Sequence, residues 1–473
     1  MPITFYLFKR YFCSAEIYMK RTQELSEAKI GKLMLKFFIP AFIGVFVNAL
    51  YNIVDRIFIG QGVGAEALSG ISVIFPVMLI MMGFGMLIGI GTGVLVSINL
   101  GRKKAGRAEQ ILGTGFMMML VVSVLIMIIG FVLKGPMLRA FGASEETFRY
   151  ANDYLNIILW GTVFQVVGFS LNNVIRAEGN VRIAMVSMLL SAGTNLLLDP
   201  LFIFVFGWGV KGAAYATVIS MMVLAVWVVL HFRSERSVIK LRMPHLAINF
   251  TILKEITAIG MAPFSMQIAG SFVQGVLNKK LISYGSDLAV GAMGIINSVS
   301  TLVIMTIVAI NMASQPIIGF NYGARALHRV KDTLRISLIA ATIIAVGAFT
   351  FIQAIPGVIV RLFNNSSPEL HDLTVTGLRI SILAWPLVGF QVVASHFFQS
   401  VGKAKIAMLL TLLRQVLILL PLLYLLPGIM DLKGIWAAFP IADTVAATIV
   451  AFFLVSEWKK IDQLPPENIS EII

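Results

Sequence analysis

Three aspartates, Asp55, Asp199 and Asp443, stand inside long apolar runs. A carboxylate there costs about 3 kcal/mol or more unless something offsets it. Asp199 follows Asn195 by four residues, which puts both on one helical face. Pro200 comes next, and its missing N–H frees a backbone carbonyl. Asp55 continues a polar stripe begun by Asn48 and Asn52, at i−7 and i−3. Thr217 lies roughly one to two turns into the following helix, at a compatible depth. Two carboxylates, an amide and a hydroxyl form an oxygen set suited to a hard cation such as Na+; the alternative is a shared site for a proton. The competing explanation is a static hydrogen-bond network that only fastens helices.

The second half of the chain offers a different set. Asn278 stands where the first half has Asp55, and with Ser271 and Gln274 it forms an uncharged stripe. Ion coupling is therefore assigned to the first half through Asp55, Asn195, Asp199 and Thr217. Asn48, Asn52, Gln165, Ser271, Gln274 and Asn278 remain candidates for substrate or cavity contacts. Arg414 and Asp443, each about nine residues from a helix end, read as a buried ion pair. Arg176 and Glu178 flank the inner end of the fourth helix and read as a second pair or a gate latch. The five histidines are scattered and Cys13 is the one cysteine, so no metal centre, disulfide or redox cofactor is expected beyond the coupling Na+ or H+. The glycines from Gly83 to Gly93 follow no strand and precede no Gly-Lys-Ser/Thr, so they predict close helix packing, not a nucleotide loop.

These residues must be positioned by membrane helices. Of 473 residues, 58% are hydrophobic and 13% charged, far from the roughly 25% charged content of soluble domains. Apolar runs long enough to cross a hydrocarbon core recur from Leu35 to Val455. They predict an all-α polytopic membrane protein of about 12 transmembrane helices, near 35–59, 68–98, 111–133, 148–174, 183–206, 212–231, 252–282, 288–318, 333–355, 372–399, 405–426 and 434–456. No segment of mixed polarity is long enough for a soluble catalytic domain.

The net charge of +14 raises the possibility of nucleic acid, but its distribution points to lipid. About 26 of the 37 Lys and Arg fall in alternate loops and the two tails, the positive-inside pattern. The outer connections, such as Gly60 to Gly64 and Asn364 to Ser367, are nearly free of positive charge. Both termini are expected in the cytoplasm, with the basic face against anionic headgroups and no nucleic-acid partner. Residues 1–18 have no long apolar core or cleavage site, so a signal peptide is not expected, and Met19 is the expected native start.

An internal repeat runs through the chain. Pro40 and Asp55 are matched by Pro263 and Asn278. Asn99-Leu-Gly101 parallels Asn321-Tyr-Gly323, Phe164-Gln165-Val166-Val167 parallels Phe390-Gln391-Val392-Val393, and Ile183-Ala184-Met185 parallels Ile406-Ala407-Met408. Six helices per half is an even number, so the halves share one orientation, as in alternating-access transporters with parallel repeats. The expected organisation is an N-terminal tail (1–30), a six-helix bundle (31–232), a basic cytoplasmic linker (233–251), a second six-helix bundle (252–458) and a C-terminal tail (459–473).

Asn-Ile-Val-Asp55, Arg176-Ala-Glu-Gly-Asn180, Asn195-Leu-Leu-Leu-Asp199-Pro200 and Lys211-Gly-Ala-Ala-Tyr-Ala-Thr217 together resemble the bacterial multidrug and toxic compound extrusion (MATE) family, over about residues 28 to 460. The resemblance implies a multidrug efflux antiporter of the bacterial cytoplasmic (inner) membrane. Such a protein exports cationic or amphipathic compounds in exchange for Na+ or H+, and a monomer is expected. It also implies that Asp55, Asn195, Asp199 and Thr217 fall on the family's first-bundle cation site. Many members instead carry acids in the second bundle, where this chain has Gln267 and Asn278. The alternatives are a flippase for a lipid-linked oligosaccharide, which would need a strongly cationic cavity, and an intramembrane enzyme, for which no His-Glu-x-x-His or Ser–His pair is present.

Overall fold

The computed structural model describes residues 19, 22–141, 145–285, 287–363 and 368–463. Residues 1–18, the loop 364–367 and the side chain of Asn52 lie outside that description. The described chain is helical apart from its connections and the linker after α6: α1 Ile30–Gly62, α2 Ala65–Gly101, α3 Ala105–Ala140, α4 Glu145–Ala177, α5 Val181–Pro200, α6 Gly209–Arg233, α7 Phe250–Gly285, α8 Asp287–Gly323, α9 Leu327–Ala354, α10 Pro356–Phe363, α11 Pro368–Ser381, α12 Trp385–Ser400, α13 Ala404–Leu412, α14 Leu420–Leu425 and α15 Pro427–Gln463. No strand occurs among the described residues. A π-helical turn, Leu201–Val205, extends α5, and another, Leu413–Leu419, joins α13 to α14.

Among the described residues, eleven spans are long and apolar enough to cross a membrane, and α11 and α12, bent by 54° at their break, make a twelfth when taken as one span. The sequence predicts that span as one helix over 372–399. The break follows Ser381, and α12 begins with a proline in its first turn, where the absent N–H is no loss. Helices are the one open-ended solution in lipid, because each segment satisfies its own backbone groups.

The chain divides into two compact units. One holds the described residues through Phe264 together with Gly319–Ala324; the other holds Ser265–Ile318 and the chain from Arg325 onward. In the first, Ile59, Ile74, Leu155, Ile158 and Ala213 form a fully buried apolar core. In the second, Leu378, Leu423, Ile435 and Trp436 belong to the corresponding cluster.

The repeat is visible in the backbone as well as in side chains. Left-handed residues recur at nearly constant spacing: Lys103 (φ 57°) with Arg325 (φ 55°), Gly179 (φ 87°) with Gly402 (φ 77°), and Gly209 (φ 55°) with Asp431 (φ 49°). The positive φ values therefore fall at equivalent places in both halves: just after α2 and α8, just after α4 and α12, and at the start of α6 and early in α15. Within the first unit, Gly89 permits the closest approach of α2 to α4. A Cβ there would stand 2.6 Å from Ser170 Cα, and Ser170 Oγ donates to Gly85 O across 2.9 Å. The glycine series thus packs helices.

The linker after α6 lies against the first unit. Glu178, 1% exposed, accepts from His231 Nε2 at 2.6 Å, Ser237 Oγ at 2.8 Å and the Val238 amide at 3.0 Å. Glu109 accepts from the Lys240 amide at 3.1 Å and pairs with Arg242 Nε at 3.3 Å. Two carboxylates thereby fix a segment that has little regular structure of its own.

Candidate cation site

Asp55 of α1, Asn195 and Asp199 of α5 and Thr217 of α6 are brought together by four helices of the first unit. The fourth is α4, which contributes Tyr154, a residue that the sequence does not single out. Asp199 and Asn195 are each 1% exposed. Asn195 Nδ2 donates to Asp199 Oδ1 across 3.2 Å. The carboxyl group of Asp55 comes within hydrogen-bonding range of that of Asp199. The Tyr154 hydroxyl hydrogen-bonds the Thr217 side chain and lies within electrostatic reach of both aspartates and of Tyr51.

Local sequence explains the placement. Four-residue spacing stacks Asn195 over Asp199 on one face of α5. Pro200 cannot donate, and the helix passes into the π-helical turn Leu201–Val205 immediately beyond it. Such turns recur at functional sites. Ala213, Ala214 and Ala216 of α6 are fully buried and small, which lets that helix approach closely.

The oxygen inventory is left incomplete by protein donors. Among the described residues, Asp199 Oδ2 and Asn195 Oδ1 are buried with no hydrogen-bond donor. Ionised carboxylates accept and do not donate, so the approach of Asp55 supplies no proton to Asp199. Two unit charges about 4 Å apart repel by about 4 kcal/mol at an effective dielectric of 20. A monovalent cation or a proton between them offsets that repulsion, and the orphan oxygens fit a hard cation. No group of three His, Cys, Asp or Glu side chains suited to a metal ion occurs among the described residues.

The remaining candidates fall elsewhere. Asn48 is on the exposed surface of α1. Gln165 and its repeat counterpart Gln391 both keep a buried Oε1 with no donor among the described residues. Ser271 Oγ donates to Gln267 O at 3.1 Å, and Gln274 Nε2 donates to Asn278 Oδ1 at 3.0 Å. Arg414 Nε contacts Asp443. Arg176 and Glu178 join different networks: Arg176 Nη2 donates to Asn173 Oδ1 at 2.7 Å, and the ion-pair partner of Glu178 is His231. Sequence reasoning passed over Tyr154 and Glu109. A hydroxyl at the depth of Asp55 on α4 was the available signal for Tyr154. Nothing local marks Glu109, whose partners lie 131 to 136 residues away.

A duplicated set of membrane-length helices, with acidic groups gathered inside one bundle and facing each other, defines a multi-pass membrane transporter. A family model described as MatE matches the chain twice, over residues 40–201 and 263–425. The chain belongs to this family, and it is a secondary transporter, not an enzyme. The chain is 27% identical over 430 residues to "Multidrug export protein MepA" of Staphylococcus haemolyticus strain JCSC1435, spanning 91% of this chain and 94% of that one. It is 26% identical over 431 residues to the protein of the same name in Staphylococcus aureus strain MSSA476, with 90% and 95% spanned. Among solved structures, "Crystal structure of MATE in complex with MaL6" superposes with a TM-score of 0.88 at 25% identity, covering 94% of this chain and 100% of that one. A structure titled "Outward-facing conformation of a multidrug resistance MATE family transporter of the MOP superfamily" gives a TM-score of 0.87 at 25% identity, covering 93% and 98%.

Proposed function

We propose that this protein exports small cationic or amphipathic organic compounds, drugs among them, in exchange for Na+ or H+ by alternating access. The observation that carries the coupling is the meeting of Asp55 with Asp199 beside Asn195 and Thr217. Capture of one positive charge removes the repulsion between the carboxylates and draws α1 and α5 together; its release lets them part. An ion that binds one arrangement better than the other shifts the population by that difference in affinity. Residues 31–232 form the coupling bundle in this scheme, 252–458 the partner bundle, and 233–251 the cytoplasmic linker between them. The protein works as a monomer in the bacterial cytoplasmic membrane with both termini inside, in keeping with its basic alternate loops. The names of the staphylococcal relatives support the substrate class.

Purified protein in liposomes, loaded with a fluorescent organic cation and given separate Na+ and pH gradients, tests this directly. Efflux driven by at least one gradient is expected. Efflux indifferent to both would refute ion exchange.

A further inference from the structure

The second unit contains a cavity of about 300 Å³ lined by residues of α7, α8, α9, α11, α12 and α15 and of the π-helical turn Leu413–Leu419. Its wall is largely apolar, with Trp385 and Phe439 supplying aromatic faces; Gln274, Asn297 and Ser300 interrupt it from α7 and α8, and Ser381, Arg414, Gln415 and Asp443 from the other elements. None of these takes part in the cation site.

Three features separate this cavity from a packing defect. First, Arg414 engages Asp443 through Nε, while its side chain keeps 29% exposure against 2% for Asp443. A pair that only fastens helices gains most from two parallel bonds across the guanidinium fork. Here the Nη groups have no acceptor among the described residues, and Arg414 lines the cavity. Second, Ser381, 6% exposed, has a hydroxyl with no hydrogen-bond partner among the described residues. Orphaned buried polar atoms call for an explanation, and a bound molecule is one. Third, Arg414 and Gln415 sit in a π-helical turn, a departure recurrent at functional sites. The helix they interrupt is the repeat counterpart of α5, which carries Asn195 and Asp199.

We infer that this cavity binds a small aromatic carboxylate. Its two oxygens accept parallel hydrogen bonds from Arg414 Nη1 and Nη2, and the Ser381 hydroxyl donates to one of them. A one- or two-ring body lies against Trp385 and Phe439. Asp443 is a positioning residue: by holding Nε it fixes the plane of the guanidinium and turns the fork to the ligand. Asp443 is 2% exposed and held by Arg414 Nε, whereas the guanidinium is 29% exposed with its Nη donors open, which favours an anion over an organic cation.

The test is equilibrium dialysis of the full chain in lipid nanodiscs with 2-naphthoate, compared with neutral 2-naphthamide and cationic 2-naphthylmethylammonium. No ion gradient is present, so the outcome is separate from that of the exchange assay. Saturable naphthoate binding, about tenfold tighter than either comparison probe, is expected from a charge-assisted pair of bonds. Arg414→Gln is expected to weaken naphthoate about tenfold and leave naphthamide unchanged. Because that variant strands Asp443, the double variant Arg414→Gln/Asp443→Asn, which replaces the pair with neutral amides, is measured beside it and should show the same loss. Ser381→Ala should weaken naphthoate about threefold. Absence of saturable naphthoate binding to the folded protein, equal binding by the double variant, or preference for the cationic probe would each overturn the assignment.

Discussion

Asn195 donates its side-chain N–H to Asp199 Oδ1 across 3.2 Å, one helical turn away on the same face of α5. The amide thereby orients the carboxylate and keeps its own Oδ1 free for an ion. Asp199→Asn retains the volume and removes the charge. That variant is expected to insert and fold with thermal stability close to that of the parent. Its ion-driven efflux should fall by more than about tenfold, since each 1.4 kcal/mol of lost ion affinity is a decade. Asn195→Ala, which frees the carboxylate to rotate, should give a smaller loss. Initial efflux rates from liposomes under imposed gradients distinguish these outcomes, and an undiminished Asp199→Asn rate would remove the site from the mechanism.

Tyr154 enters the same cluster from α4, hydrogen-bonded to Thr217 and 2% exposed. Tyr154→Phe keeps the ring in its core and deletes the hydroxyl, so packing is preserved and Thr217 loses its partner. One neutral hydrogen bond is worth about 1 kcal/mol. The half-saturating concentration of the driving ion should therefore rise about fivefold, with little change in maximal rate. Tyr154→Ala instead empties a fully packed site, at about 3–5 kcal/mol, and should be read out as lost thermal stability. If Tyr154→Phe leaves the ion dependence unmoved, the tyrosine is only a core residue.

Much of this arrangement was legible from residue types. Four-residue spacing and a following proline singled out Asn195 and Asp199. The expense of charge in lipid singled out Asp55, and matching landmarks exposed the repeat. What escaped has physical causes. Tyr154 has the aromatic body of a core residue, and hydroxyl function is invisible until a neighbour such as Thr217 is placed. The bend after Ser381 leaves apolar periodicity intact, so 372–399 reads as one helix although it is two. Arg414 and Asp443 could be paired on depth alone, but the cavity around them depends on the packing of α7, α8, α11 and α12, which no local pattern encodes. Glu178 stands beside Arg176 in sequence, but apart from the nearby Asn180 amide its partners, His231, Ser237 and the Val238 amide, are more than 50 residues away.

The linker supplies a prediction of its own. Glu178 holds His231, Ser237 and the Val238 amide from a fully buried position. Glu178→Ala removes the acceptor and leaves those donors buried without a partner, at about 1–3 kcal/mol. Local opening of the segment becomes correspondingly easier. Amide exchange at Val238 and Ile239 should accelerate about tenfold to a hundredfold, while exchange in the core of α4 stays slow. Glu178→Gln, which retains one acceptor oxygen, should fall between the parent and Glu178→Ala. Hydrogen exchange followed by mass spectrometry resolves the segment. Unchanged protection in Glu178→Ala would show that Glu109 alone holds the linker.

Asp431 interrupts α15 with φ 49° and ψ −137°, a conformation open to glycine and strained for a residue with a side chain. Its repeat counterpart is Gly209, with φ 55°, so the first half has the residue that the geometry favours. Asp431 is exposed and lies at a helix break outside the buried cluster, which leaves little packing to lose on substitution. Removing the side chain relieves about 1–3 kcal/mol of strain, and the added freedom of glycine in the unfolded chain returns about 1 kcal/mol of that. Asp431→Gly is therefore expected to raise the melting temperature in detergent by a few degrees, whereas Asp431→Ala, which keeps a Cβ, should leave it unchanged or lower. Equal melting temperatures for the Gly and Ala variants would mean that the break carries no strain.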